Sequence, residues 1–357
     1  MNSLLSERKA RKTFTILCKQ GLLHNYLIDM LQKNGWIYVE FDDLFSNETE
    51  KSVDFAWFGA SLGNEYLRYD PRIYDINTVL KNLICGSGVR GDIIEKDTVT
   101  NKHALYFNFV KYFPDVCKKH LCESWDINDV RQINKDDVLI IRPVGPGAGG
   151  GANVSIATNM NQFINIKKKL GRFPYVLSTQ YITNPMLIDK KKFHLRMYWI
   201  VYPDKSGKYY NSLYKIGKII TAKNDYKNED FSNPNIHDTH FKSTFVNRYF
   251  PNDLQTSNHL SDELILNYYS QMEEIVECAF KILEPNIKSY SETKYGFEVF
   301  GCDFMITTDN IVKLIEINAR HDYGVNDLEK DNPAGFEDFC NQFYRWIYIM
   351  TIFPIFS

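Results

Sequence analysis

Two carboxylates and an amide late in the chain, Asp303, Glu316 and Asn318, have the spacing to hold a hard cation. They lie in FEVFGCDFMITTDNIVKLIEIN, residues 297–318, which reads as two apolar-rich runs joined by Asp309-Asn310, a pair that tolerates the positive φ of a two-residue hairpin turn. With Thr308 facing Ile311 across that turn, Asp303 falls opposite Glu316, and strand alternation puts Asn318 on the face of Glu316. Carboxylates opposed across a ladder, with β-carbons about 5 Å apart, repel unless something positive sits between them. A divalent ion taking two carboxylates and an amide carbonyl, with its other positions left to water or phosphate, fits magnesium carrying a nucleotide better than zinc, which takes His or Cys. The alternative from these residues alone is a hairpin whose acids face solvent, a common device at strand edges.

Cations for such a nucleotide's phosphates come from separate stretches. In KFHLRMYWIV, residues 192–201, alternation puts Lys192, His194 and Arg196 on one face and Phe193, Leu195 and Met197 on the other. Three basic side chains in a row ask for an anion. Arg196 can grip a carboxylate or phosphate as a fork and Lys192 acts as a point charge, with a merely solvent-facing strand as the alternative. DVLIIRPV, residues 137–144, reads as a buried strand with Arg142 near its end, and GPGAGGG follows. Without β-carbons this loop, including Gly149, Gly150 and Gly151, can bring N–H groups against phosphate oxygens; a flexible surface loop is the alternative. Gly145, Gly147 and Gly150 satisfy GxGxxG, but a dinucleotide fold wants a helix next and an acid about 20 residues on. Residues 152–158 instead alternate like a strand, no acid occurs between Asp137 and Asp189, and Walker A is absent, so that reading fails. Lys102, leading into an apparent helix, reads on its own as a solvated lysine.

The elements that must position these groups mix helix and strand. Short strands at 14–18, 36–41 and 53–58 around a helix at 22–33 predict a small open-sheet N-terminal domain. A helix follows at 159–170, a strand at 175–182, and, after a turn at 203–208, two short strands within 209–222. Residues 223–260, rich in Asn, Asp, His and Ser, read as a long loop that covers the site or touches the substrate. Ser261 caps a helix whose apolar positions, from Ile265 to Leu283, keep 3.6-residue spacing. The chain divides into an N-terminal α/β domain (1–110), a central subdomain with the glycine flap (111–190) and a C-terminal subdomain with the metal hairpin (191–357).

Composition bounds the function. A chain of 357 residues, 44% hydrophobic, buries a normal core, and a net charge of −2 argues against a dedicated nucleic-acid binder. Its seven cysteines contain no CxxC pair, and Cys117, His120 and Cys122 match no zinc signature, which predicts free thiols in a reducing, cytoplasmic setting. The N-terminus lacks the apolar core of a signal peptide. No window has about 18 apolar residues. The C-terminal FYRWIYIMTIFPIFS, interrupted by Arg345 and Pro354, predicts a helix docked on the core, with membrane attachment as the alternative.

IIRP with its glycine loop, TQYITNPMLIDKKKFHLRMYWIV and the 297–318 hairpin stand in an order that resembles the tubulin tyrosine ligase family of ATP-grasp ligases, over roughly residues 95–320. The resemblance implies an α+β ATP-grasp fold, two β-rich subdomains clasping ATP behind the small N-terminal domain. It implies ATP and Mg2+ as cofactors, and joining of an amino acid of the tyrosine or glutamate class to a protein carboxylate through an acyl phosphate. The acceptor it implies is an acidic protein tail or peptide such as tubulin's, with no nucleic-acid or membrane partner. By position, Asp303, Glu316 and Asn318 match the family's magnesium ligands, Lys192 and Arg196 its phosphate- and substrate-facing cations, Gln180, Tyr181 and Ile182 the hinge that reads adenine, and Lys102 an upstream phosphate lysine. Departures fall at Arg142, where lysine is usual, at Gln180 for the hinge lysine, at His194 for an aspartate, and at the charged Arg320-His321-Asp322 after the metal hairpin. His194 thereby becomes a neutral donor or a switchable base able to take a proton from the incoming ammonium. These departures keep two alternatives open: a degenerate ATP-grasp module that binds ATP or a partner protein, and a small-peptide ligase resembling glutathione synthetase.

Overall fold

The strands in chain order are β1 (Thr13–Ile16), β2 (Ile37–Tyr38), β3 (Val53–Trp57), β4 (Leu80–Cys85), β5 (Ser124–Asp126), β6 (Leu139–Val144), β7 (Ser155–Ala157), β8 (Tyr175–Gln180), β9 (Leu187–Ile188), β10 (Lys191–Pro203), β11 (Tyr209–Leu213), β12 (Gly217–Thr221), β13 (Tyr249–Phe250), β14 (Tyr295–Ile306) and β15 (Val312–Asn318). The helices are α1 (Leu22–Lys33), α2 (Asp97–Thr100), α3 (Lys102–Tyr112), α4 (Pro114–His120), α5 (Met160–Leu170), α6 (Pro234–His237), α7 (Asn252–Asn258), α8 (Asp262–Leu283), α9 (Pro333–Ile347) and α10 (Phe353–Phe356). The structure, a computed structural model, describes residues 12–17, 22–45, 52–57, 80–85, 94, 96–130, 133–134, 137–144, 154–171, 173, 175–227, 231, 234–237, 248–287, 295–319 and 333–357. Gly149, Gly150 and Gly151 of the glycine loop, and the Arg320-His321-Asp322 triplet, lie outside these residues. The class is α+β, as expected.

The larger sheet runs β13–β12–β10–β14–β4–β3–β1–β2, with β9 and β11 on β10 and β15 on β14. Strands β1 to β4 pair in parallel, and β4 continues in parallel onto β14, whereas β10, β12, β14 and β15 are antiparallel. The N-terminal strands and the C-terminal ladder therefore share one hydrogen-bonded sheet. Helices cover both faces. On one side Phe193, Leu195, Met197 and Trp199 of β10 share a core with Ile265, Tyr268, Met272, Ile275, Val276, Ala279 and Leu283 of α8. Ser261 starts that helix by accepting the Leu264 N–H at 3.2 Å, and Asp262 and Glu263 complement the dipole in its first turn. On the other side Tyr198 and Ile200 meet Phe336, Phe339, Phe343 and Ile347 of α9. The apolar C-terminal stretch is the end of α9 followed by a π-helical turn at Tyr348–Ile352 and α10, and no helix among the described residues is long and apolar enough to cross a membrane.

The smaller sheet, β5–β8–β6–β7, is antiparallel and packs Leu139, Ile141 and Val176 against Phe163 and Leu170 of α5, so its opposite face, which carries Arg142, is turned toward the larger sheet. The expectation of a loop throughout 223–260 is corrected at 234–237, where α6 stands, and at 249–258. There β13 pairs with Gly217 and Lys218, and α7 follows, because Phe250 and Leu254 reach the main core from a stretch whose composition is otherwise polar. Cys117, Cys122, Cys278, Cys302 and Cys340 are free thiols. His120 is buried, its Nδ1 2.7 Å from the Val312 carbonyl oxygen and its Nε2 3.2 Å from Glu274, so it ties α4 to the β14–β15 hairpin rather than joining Cys117.

Candidate active site

Asp303 and Glu316 are partners across β14 and β15, and Gly301 faces Asn318. The turn that produces this pairing is not the two-residue one expected. Thr307 N–H donates to the Ile311 carbonyl oxygen at 3.0 Å, so the loop holds residues 308–310, with Asn310 at φ 62°. The ladder beside the turn is consequently shifted by one, with Phe304 opposite Leu314, and a bulge at Ile315 restores the expected register at Asp303. The bulge also chooses faces. Val312 and Leu314 enter the core, and a straight strand would send Glu316 after them; the extra residue gives Ile317 to the core and leaves Glu316 and Asn318 on the face of Asp303.

Each carboxylate meets a cation. Arg196, the neighbour of Asp303 on β10, donates from Nε to Oδ1 and from Nη2 to Oδ2, the latter at 3.0 Å, and His194 Nε2 lies 3.8 Å from Oδ1. Gly301 gives the arginine room to lie flat, since a β-carbon there would stand 3.1 Å from Arg196 Cδ. Burial alone would lower the Arg196 pKa, but Asp303 outweighs it and holds the guanidinium above its ordinary value. Glu316 receives Lys102 Nζ at 2.7 Å and stands 4.0 Å from Arg142 Nη1. Burial pushes the Glu316 carboxyl up, yet the charges of Lys102 and Arg142 win and hold it well below the usual carboxylate range. Asn318 Nδ2 joins the two halves, donating to Asp303 at 3.3 Å and Glu316 at 3.0 Å. Arg142, its pKa lowered by burial and supported by Glu316, keeps a buried Nε with no hydrogen-bond partner among the described residues.

Lys192 takes a different partner. Its Nζ donates to the Tyr181 hydroxyl at 2.8 Å and sits 4.0 Å from the centroid of that ring. Gln180, Tyr181 and Ile182 lead out of β8 at the joint between the two sheets, with Gln180 exposed and the other two side chains buried. The Tyr181 N–H bonds the Val138 carbonyl oxygen at 2.8 Å. Three residues that sequence reasoning passed over, Tyr226, Phe231 and His237, gather around Tyr181. The only signal for them was aromatic and imidazole rings in a stretch otherwise polar.

The donor set fits a hard divalent ion. Two carboxylates and an amide can supply oxygens; no group of three His, Cys, Asp or Glu that could hold a metal ion occurs among the described residues, so the third protein ligand here would have to be the Asn318 amide. The Asn318 amide nitrogen stands between the carboxylates where a cation would bind, and rotating that amide turns a donor into an acceptor. Among the described residues, Lys102, Arg142 and Arg196 against Asp303 and Glu316 leave this cluster with a surplus of positive charge, complementary to a polyphosphate.

Residues 123–327, more than half of the chain, match the Tubulin-tyrosine ligase family. The chain belongs to this family. The match runs from β5 through β15, so it takes in Arg142, residues 180–182, β10 and the β14–β15 hairpin, while Lys102 precedes it. The α+β fold is accordingly the ATP-grasp fold of tubulin-tyrosine ligases. Tubulin glycylase 3C of Tetrahymena thermophila is 26% identical over 202 residues, covering 52% of this chain and 18% of that protein. Tubulin glycylase 3D of the same organism is 25% identical over 201 residues, covering 52% and 19%. A probable tubulin–tyrosine ligase of Schizosaccharomyces pombe is 24% identical over 168 residues, covering 44% and 39%. The chain thus spans two fifths or less of the length of these relatives.

Proposed function

We propose that this tubulin-tyrosine ligase family member is an ATP-dependent carboxylate–amine ligase that joins an amino acid to a carboxylate of a protein or peptide through an acyl phosphate. The observation that carries the reading is the convergence of Asp303, Glu316 and Asn318 with Lys102, Arg142 and Arg196 in one hydrogen-bonded and charged network. Asp303, Glu316 and Asn318 would hold Mg2+, which supplies neutralisation of the β- and γ-phosphates. Lys102 and Arg142 would bind phosphate oxygens, the unpartnered Nε of Arg142 giving one donor. Arg196, held by Asp303 until a metal nucleotide replaces it there, would orient the acceptor carboxylate or stabilise the oxyanion as the amine attacks. His194, beside the same carboxylate, would take the proton of the incoming ammonium. Gly149, Gly150 and Gly151 would close over the phosphates and keep water from the acyl phosphate. Gln180, Tyr181 and Ile182 would hold the base end of ATP, and Lys192, beside Tyr181, would face its phosphates.

An acidic protein tail, tubulin's foremost, is the acceptor this reading favours, supported by the names of the relatives and by the surplus of cations at the site. Those names add glycine to tyrosine and glutamate as the amino acid transferred. The free thiols support a cytoplasmic setting. Incubation with MgATP, the twenty amino acids and acidic peptides, followed by ADP release and peptide mass, tests the function. ADP together with a heavier peptide is expected; no ADP under any condition overturns it in favour of a binding module, the reading favoured by the closure of Asp303 by Arg196. Mass added only to free amino acids identifies a small-molecule ligase instead.

A further inference from the structure

The stretch after β12 crosses the joint between the sheets and is fastened there at several points. Tyr226 N–H donates to the Lys190 carbonyl oxygen at 2.8 Å, and the Tyr226 hydroxyl donates to the Thr183 carbonyl oxygen at 3.2 Å. Further along, Phe231 and His237 stack at 5.1 Å and 25°, and both meet the Tyr181 ring edge-on, at 5.4 Å and 5.6 Å. His237 Nδ1 lies 2.6 Å from the Tyr181 hydroxyl, the same oxygen that accepts from Lys192 Nζ at 2.8 Å.

This chain of contacts has a physical consequence for Lys192. Its ammonium is on a flexible four-carbon stem, and only 3% of the residue is exposed, so its direction is set by what surrounds it. Part of that surrounding is a tyrosine whose ring covers the ammonium and whose oxygen accepts from it. A tyrosine ring turns about two side-chain bonds unless its tip is anchored, and His237, with Tyr226 as the other hydroxyl neighbour, supplies the anchor. Burial keeps the Tyr181 hydroxyl protonated, its pKa well above the ordinary value, so it remains a neutral hydrogen-bonding group.

We infer that His237 is a positioning residue, which acts through Tyr181 to fix the Lys192 ammonium at the joint between the two sheets. The inference deepens the nucleotide reading given above, in which Lys192 and residues 180–182 hold ATP, and on that reading His237 sets nucleotide affinity without touching the nucleotide.

The test uses the full chain with Tyr181→Phe, His237→Leu and His237→Asn, the amide of Asn being able to present either a donor or an acceptor near the position of Nδ1. One readout needs no nucleotide: the rate at which acetic anhydride modifies Lys192, measured by peptide mass relative to exposed Lys223. The other is the dissociation constant of MgADP by calorimetry. Loss of one buried hydrogen bond predicts, for Leu and Phe alike, Lys192 labelling about tenfold faster and MgADP binding about five- to tenfold weaker, with Asn within about twofold of wild type. Tyr181→Phe removes the link itself, and His237→Phe, which keeps a ring without a nitrogen, serves where His237→Leu fails to fold. A double variant no worse than either single change places both residues on one path. Unchanged Lys192 labelling in the His237→Leu variant, whatever Tyr181→Phe does, or an Asn variant as impaired as Leu, overturns the inference. Wild-type protein that binds no MgADP overturns the nucleotide reading, while the labelling arm still decides the role of His237.

Discussion

Replacing Glu316 by Gln separates charge from shape at the centre of the site. The amide keeps the volume and an oxygen for Asn318, but it removes the partner of Lys102 at 2.7 Å and of Arg142 at 4.0 Å. With an effective dielectric of about 20, the Coulomb attractions lost are about 6 and about 4 kcal/mol. Desolvation of the carboxylate and its repulsion from Asp303 offset most of this, and the Lys102 side chain, 27% exposed, turns to water. The net loss of stability is then about 1–2 kcal/mol, read from urea unfolding. Activity is affected far more, because a metal site that supplies several kcal/mol of transition-state stabilisation corresponds to about a hundredfold to ten-thousandfold in ADP release at saturating ATP. The pH dependence carries the same signature. The native Glu316 carboxyl lies below its ordinary 4.5, so the unfolded chain binds the extra proton, and the contribution present above pH 4.5 is lost as pH falls toward the native value. Glu316→Gln flattens that acid limb. Turnover within about threefold of wild type at unchanged Mg2+ dependence refutes the assignment of Glu316 to the metal and phosphate site, given the several kcal/mol at stake.

Gly301→Ala sets a β-carbon against Arg196, and is expected to lower turnover about tenfold while costing no more than about 1–2 kcal/mol in urea unfolding, since the displaced atoms belong to a side chain. Asp189 and Lys190 both adopt left-handed backbone, φ 47° and 62°, in the two-residue turn between β9 and β10, so Lys190→Gly is expected to stabilise the chain by about 0.5–1 kcal/mol in the same assay. Burial holds the His120 imidazole below its ordinary 6.5, so the unfolded chain binds the proton first and stability declines as pH drops below that value. Urea midpoints between pH 5 and pH 7.5, about the titration range of histidine, should slope less in His120→Asn than in wild type.

How much of this was readable from sequence depended on how local the determinants were. The helix at 22–33 and the Ser261 cap were legible because periodicity and capping act within a few residues. The opposition of Asp303 and Glu316 was also reached, but by two offsetting departures, a three-residue loop and a bulge at Ile315. No propensity marks that bulge; it exists because the core claims Ile317 once Leu314 is buried. From its own stretch Lys102 looked like a solvated lysine and only the family resemblance pointed to it, because its partner Glu316 lies more than two hundred residues away and is brought near by α2 and α4, which flank α3 and pack on β15. His237 was hidden for a similar reason, its contact with Tyr181 being created by the path of a stretch whose composition reads as loop.

Arg196 and Asp303 show most clearly what long-range register adds. They are 107 positions apart, and read separately each had its own duty, one toward substrate and one toward metal. Across β10 and β14 they are neighbours, and Arg196 occupies both oxygens of a carboxylate that is 1% exposed. Drawing Arg196 toward an acceptor carboxylate therefore leaves Asp303 buried without its main counter-charge, a change that costs about 3–5 kcal/mol when nothing replaces the cation. If a metal-bound nucleotide supplies the replacement, Arg196 is released for the acceptor only after MgATP has bound. Acceptor affinity should then rise by about two to three orders of magnitude when a nonhydrolysable MgATP analogue is present. Calorimetric titration of an acidic peptide into the protein, with and without the analogue, measures that ratio. Equal affinity in the two titrations would mean that Arg196 never leaves Asp303, and that its role is to hold the metal hairpin against β10.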